Sequence, residues 1–387
     1  FRRKKGCQYY DQYTAYADAD VLIFNSMKYQ IETMLGRKPK TDLEIIDECD
    51  EFLDSFANER RINLNRLHAA ISNLMPSDQE KRRISKELLH KINDLLLDPP
   101  KIGIEKIMES PFINLIEIIL ENPNLAEDEE INYYNDVIEM VKSFESVINE
   151  TYTSMDIIKK DGEQKGLFGK NFSNEDTVII NLVSINLAQK LNELIEANNV
   201  LVLMSGTLHS PEVLKNIFGL EDFKIVEAET KNPGIINKER TGIERNCSFA
   251  NFSNGTITRD MYLKMMDLCL ANAEEPVLVH VNAFKDLPSE EENNRLKFDN
   301  LITQERLREI QRRGNMAVED FSNKSSKILF TTKCSRGVDF AGDKCNSIVI
   351  TRFPYPNIQE LFWKILKKEQ PEKFMEFYLD KARRTLI

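Results

Sequence analysis

The stretch TDLEIIDECDEFLD, residues 41–54, joins an apolar run to a knot of acids. Residues 43–46, LEII, have the character of a short buried strand. Asp47, Glu48 and Asp50 follow at once, with Cys49 among them. Three carboxylates in four residues repel one another. A magnesium ion held at Asp47 is one way to offset that repulsion. A solvated helix N-terminus is the other, because Asp and Glu favour the first turn of a helix.

Working outward, residues 18–25, DADVLIFN, also read as a short buried strand, with a helix-like piece around Met27–Met34 before LEII. This is a βαβ rhythm. From about residue 50 to 160 the texture changes. DQEKRRISKELLHKINDLLL and EEINYYNDVIEMVKSFESVINETY place apolar residues at helical spacing, and DPP and ENPN punctuate them. The spacing predicts an all-helical module inserted into an α/β domain. Strand character returns at 177–183, TVIINLV, and at 200–204, VLVLM. Three more strands are expected at 276–281, 327–332 and 347–353, with the helical ITQERLREIQRR before the second of them. They make a second α/β domain.

A chain of 387 residues has room for two or three domains. Its net charge of −11 excludes a protein that coats nucleic acid with its whole surface, though not a locally basic groove. No apolar run is long enough for a transmembrane helix, so no membrane partner is expected. Six scattered cysteines without a CxxC pair suit a reducing cytoplasm. Four histidines lack metal-ligand spacing and read as structural or solvated. FRRKKGCQYY, residues 1–10, has neither an initiating Met nor a secretion signal, and the chain is expected to be a fragment cut at both ends.

Ligands of open parallel sheets gather beyond the carboxyl ends of strands. Three polar clusters fall there: Asp47-Glu48-Cys49-Asp50, Ser205-Gly206-Thr207, and the run Lys333–Phe340 that contains Gly337 and Asp339. Together they suit phosphoryl transfer to water, which needs positioning and charge neutralisation more than covalent help. Asp47 would hold magnesium through water, and Glu48 would orient and deprotonate the attacking water. Each cluster alone has a plainer reading as a turn or a helix start. In particular, Ser210 and Pro211 after the second cluster are a helix cap and first position. GLFGKNFS, residues 166–173, resembles a phosphate-binding loop only superficially. The required spacing falls on Gln164 and Asn171.

The ordered set CQYY, DECD, helical insertion, MSGTL, SRGVDF and RFPYPN resembles the XPD/DinG-type helicases of superfamily 2. The resemblance implies two RecA-like parallel-sheet domains with a helical, Arch-like insertion. The corresponding bounds are 1–50 and 166–230 for the first motor domain, 51–165 for the insertion and 231–387 for the second motor domain. It also implies an ATP-dependent motor that moves on single-stranded DNA in the 5′ to 3′ direction, in the cytoplasm and associated with the nucleoid.

DECD matches the Walker B box, so Asp47 and Glu48 carry over as the magnesium and water-activating carboxylates. Cys49 and Asp50 depart from the usual Ala-His. MSGTL matches the motif that links the nucleotide site to movement, which assigns Ser205, Gly206 and Thr207 to the ATP site. GVDF assigns Gly337 and Asp339. CQYY resembles the segment that supplies a cysteine to a 4Fe-4S cluster, so Cys7 carries over as a ligand, with Gln8 in place of the common Pro. The resemblance places the phosphate-binding loop before Phe1 and an arginine-rich motif after Ile387. The chain by itself is therefore expected to show no appreciable ATP turnover. An RNA-driven motor and a non-catalytic scaffold with the same fold are the competing readings. The motor reading requires residues 47–48 to share a cleft with the 205–207 turn and to face 337–339 across a domain boundary.

Overall fold

In the computed structural model, strand β1 (Leu43–Ile46) forms where expected. It pairs in parallel with β6 (Val200–Leu203), in the register Leu43 to Val200 through Ile46 to Leu203. The structure describes residues 13–34, 37–57, 59–74, 76, 78–126, 132–159, 176–227, 242, 244–332 and 338–386. The alternation in β1 runs against the simplest pattern. Glu44 is buried against Lys38, at 3.3 Å, while Leu43 and Ile45 face outward with Val200 and Val202. The expected strand at 18–25 does not form. Residues 21–25 pair with no described strand, and Ile23 is 93% exposed. Apolar content alone does not make a strand when no ladder partner lies alongside.

The inserted region differs from an all-helical module. Its helices Leu64–Ser72, Gln79–Leu97, Ile113–Glu121 and Tyr133–Lys142 are present, with Asn63, Asp78 and Asn132 capping three of them. They lie on a four-stranded sheet of order β2-β5-β4-β3. Its strands are β2 (Arg60–Asn63), β3 (Glu105–Lys106), β4 (Thr151–Ile158) and β5 (Thr177–Ser184), and every pairing is antiparallel. Residues 177–183 therefore do not rejoin β1 as a parallel strand. The helices bury Leu67, Ile71, Leu88, Ile92 and Ile116 against Ile62, Val178, Ile180 and Leu182 of the sheet. Val183, on the other face of β5, enters a different core with Leu187 and Phe218. A strand buried on both faces reads as one continuous apolar run, whichever sheet it joins.

Contacts divide the chain into two units. The first is Phe1–Phe223 with Asn357–Arg384, and the second is Lys224–Pro356 with Thr385–Ile387. The division differs from the expected boundary near residue 230, because residues 357–384 fold back into the first unit. The helices Leu361–Glu369 and Pro371–Leu386 bring Trp363, Phe374 and Phe377 into the core that holds Phe52, Leu53, Leu191 and Phe218. Aromatic residues at this helical spacing bury a large apolar area, which outweighs their place in the sequence.

The second unit carries a three-stranded parallel sheet of order β8-β7-β9. Its strands β7 (Val277–His280), β8 (Ile328–Thr331) and β9 (Ser347–Ile350) match the three expected ones. The helices Arg259–Ala271 and Gln304–Arg312 cover it, and Tyr262, Leu263, Met266, Leu307, Val279 and Phe330 form the core. The α/β class with parallel sheets is therefore observed in both units.

Phe377 has no exposed surface and packs on Phe218, Phe362 and Trp363. Phe377→Ala is expected to destabilise the first unit by about 3–5 kcal/mol in chemical denaturation. An effect below about 1 kcal/mol would show that residues 357–384 are not part of that core.

Candidate functional site

The acidic turn and the Ser-Gly-Thr turn are joined first by backbone. Met204 N–H donates to Ile46 O at 2.9 Å, and Cys49 N–H donates to Met204 O at 2.9 Å. The parallel ladder thus extends past the end of β1 into the turn. Glu48 takes a left-handed conformation, φ 49° and ψ 43°. This is uncommon for a residue with a side chain. Asp47 Oδ1 accepts the Glu48 N–H at 3.0 Å, which holds the turn. Both carboxylates are exposed. The helix Cys49–Asp54 begins directly after them and buries Cys49, Asp50, Phe52 and Leu53. Burial pushes the Cys49 thiol up to about 12, and the neighbouring Asp50 charge acts in the same direction.

Asp50 is wholly buried. Its Oδ1 accepts from Ser205 Oγ at 2.7 Å, and its Oδ2 accepts from Thr207 Oγ1 at 2.8 Å. The Thr207 N–H donates to Ser205 Oγ at 3.1 Å. Arg384 Nη1 reaches the same Oδ2 at 3.2 Å. The rest of that guanidinium holds Asp54, at 2.9 and 3.0 Å, and Asp380, at 2.8 Å. Asp380 in turn accepts the Ser210 N–H at 2.9 Å. His209 Nε2 stands 3.0 Å from Asp54 Oδ1, and Lys381 Nζ is 3.7 Å from Asp54 Oδ2.

The charges of this cluster nearly balance, and the directions of titration follow. Burial alone would raise Asp54. The hydrogen bond from His209 and the charges of Lys381 and Arg384 outweigh it and hold the carboxyl below its ordinary value. Burial works against the Arg384 charge, and Asp54 and Asp380 more than compensate.

The repulsion in DECD is thus met in part by protein. Asp50 is paired with Arg384 and accepts hydrogen bonds from two hydroxyls. Ser205 and Thr207 bond Asp50, whereas Asp47 and Glu48 stay at the surface beside them. Gly206 is exposed, and a Cβ there would meet nothing within 4 Å. Asp339 is exposed in the second unit. Gly337 and Cys7 lie outside the described residues. Among the described residues, no three His, Cys, Asp or Glu side chains gather to hold a metal.

Sequence reasoning missed Asp54, Asp380 and Arg384. Their signal was present as two pairs four residues apart, Asp50 with Asp54 and Asp380 with Arg384, each on one helix face. His209 has the structural role expected of it, with its side chain fully buried.

Residues 269–387 match the family model described as a helicase C-terminal domain. No curated protein matches the chain. Solved structures similar to the chain include two titled for XPD. One is titled XPD helicase, with 16% identity, a TM-score of 0.45, and coverage of 98% of this chain and 68% of that one. The other is titled XPD APO, with 17% identity, a TM-score of 0.38, and coverage of 88% and 68%.

Arg384→Met would leave Asp50 and Asp54 buried without their main counter-charge. The expected cost is about 3–5 kcal/mol, read by denaturant unfolding. Because the folded-state pKa of Asp54 is lowered, its contribution is fully present above the unfolded value of about 4 and is lost as pH falls through the folded value. The stability gap between the native chain and Asp54→Asn should therefore shrink below about pH 4. A gap that stays constant down to pH 2 would contradict this assignment.

Proposed function

We propose that this chain, whose residues 269–387 match a helicase C-terminal domain, belongs to an ATP-dependent DNA helicase of the XPD/DinG type. In this reading the protein hydrolyses ATP with magnesium and moves on single-stranded DNA in the 5′ to 3′ direction, in the cytoplasm and associated with the nucleoid. No helix among the described residues is long and apolar enough to cross a membrane.

The observation that carries the reading is the left-handed Glu48 at the end of a parallel strand, beside a buried Asp50 bonded to Ser205 and Thr207. Strained backbone persists where surrounding structure over-determines it, and it clusters at working sites. The turn presents two exposed carboxylates in fixed order just beyond β1.

Asp47 has one oxygen engaged by the Glu48 N–H. Its other oxygen suits a magnesium ion, which commonly takes one or two protein carboxylates and completes its shell with water and phosphate oxygens. When bound, the ion would neutralise charge on the phosphates. Glu48 orients the attacking water and accepts its proton. Ser205 and Thr207, through Asp50, tie any shift of the acidic turn to the end of β6. Gly337 and Asp339 are proposed as the nucleotide contacts of the second motor domain. The described cysteines, Cys49, Cys247, Cys269 and Cys345, are free, and no ligand set gathers around them. A 4Fe-4S cluster is proposed for the full-length protein with Cys7 among its ligands, and Cys7 lies outside the described residues.

ATP hydrolysis by the full-length protein, measured with magnesium and with single-stranded DNA or RNA, tests the reading. Turnover should be stimulated more by DNA than by RNA. Glu48→Gln should lower kcat about 10²–10⁴-fold while nucleotide binding persists. Unchanged turnover in Glu48→Gln would overturn the assignment. Stronger stimulation by RNA would favour the RNA motor instead, and no turnover at all would favour the scaffold.

A further inference from the structure

A cavity of about 460 Å³ opens within the first unit. It lies between the helices Ser26–Met34 and Leu187–Glu196, the turn Ser55–Ala57 and the end of the helix Tyr133–Lys142. None of Asp47, Glu48, Ser205 or Thr207 lines it. Three cations do: Arg60, Lys142 and Lys190.

Their surroundings are unusual for a protein by itself. Lys190 Nζ donates to Phe56 O at 3.2 Å and stands 4.8 Å from the centroid of the Phe144 ring. The side chains of Arg60 and Lys142 make no hydrogen bond or ion pair with any described residue. Glu145 and Glu193 also line the wall, yet neither forms an ion pair with the three cations. Burial pushes Lys190 down to about 8, the charge of Arg60 adds to this, and Glu193 acts in the opposite direction. Burial lowers Arg60 as well. Half-buried cations that repel each other, with no carboxylate in direct ion-pair contact, are unfavourable. Thr33 lines the same wall beside Tyr29.

We infer that this cavity is a binding site for a phosphate group, with Arg60 and Lys190 as its anchoring cations and Lys142 and Thr33 beside them. A guanidinium and an ammonium form charge-assisted hydrogen bonds to phosphate oxygens, and the anion removes the repulsion between them. The volume falls within the range of small-molecule sites and exceeds what one phosphate fills. The remaining volume accommodates the rest of a nucleotide. The phosphate belongs either to a free nucleotide or to a nucleotide of a strand, and the chemistry of recognition is the same for both. The inference does not depend on the motor reading.

The test is labelling of Lys190 by an amine-reactive ester at pH 8 and constant ionic strength, on the full-length protein, read by peptide mass spectrometry. Adenosine monophosphate or a short deoxythymidine oligomer should slow labelling of Lys190 about tenfold at roughly ten times its Kd. Arg60→Gln should lose that protection. If that variant does not fold, Lys142→Gln provides the comparison and should weaken protection several-fold. Protection by the nucleotide alone supports the site with a free source. Protection by the oligomer alone supports it with a strand. Labelling unchanged by both probes, or full protection retained in the folded variant, overturns the inference. ATP turnover is not read, so the outcome is independent of the proposed activity.

Discussion

A single buried carboxylate organises the first unit. Asp50 has no exposed surface, and a charge in that position is tolerated only when its oxygens are fully engaged. Two hydroxyls from the turn after β6 and the guanidinium of Arg384 engage them. Three segments distant in sequence are therefore held at one point: the acidic turn, the Ser-Gly-Thr turn and the last long helix. The aromatic core of Phe218, Trp363 and Phe377 sets that helix in place, and the polar cluster fixes its register.

This arrangement separates two jobs within four consecutive residues. Cys49 and Asp50 face inward and anchor the turn. Asp47 and Glu48 are exposed at the surface. The left-handed backbone at Glu48 is what divides them, because it ends the strand abruptly and starts the helix at Cys49. Strain of this kind typically costs about 1–3 kcal/mol, and the bonds to Asp50 and the backbone bridge through Met204 are the means of offsetting it.

Local features were legible in the sequence, and long-range ones were not. Strand β1, strand β6, the three strands of the second unit and the Ser210-Pro211 helix start all follow from apolar runs and capping residues. Strand β5 misled, because burial on both faces erases the alternation that would have shown an antiparallel sheet. Residues 21–25 misled in the opposite sense, since an apolar run with no ladder partner among the described residues is irregular there. The Arg384 cluster was hidden for a different reason. Its pairs look like ordinary surface pairs on a helix, and only tertiary packing brings Asp50 to Arg384 across 334 positions of sequence. The acidic turn was singled out for its residue types and order, whereas the bonding of Asp50 to the protein could not be read.

The claim that Asp50 locks the two turns together is tested most directly by a double-mutant cycle on folding stability, with Asp50→Asn and Thr207→Val made singly and together. A coupling of about 0.5–3 kcal/mol is expected for groups bonded through a buried charge. Additivity within about 0.3 kcal/mol would show that the turns are held independently, and the account of the site would fail.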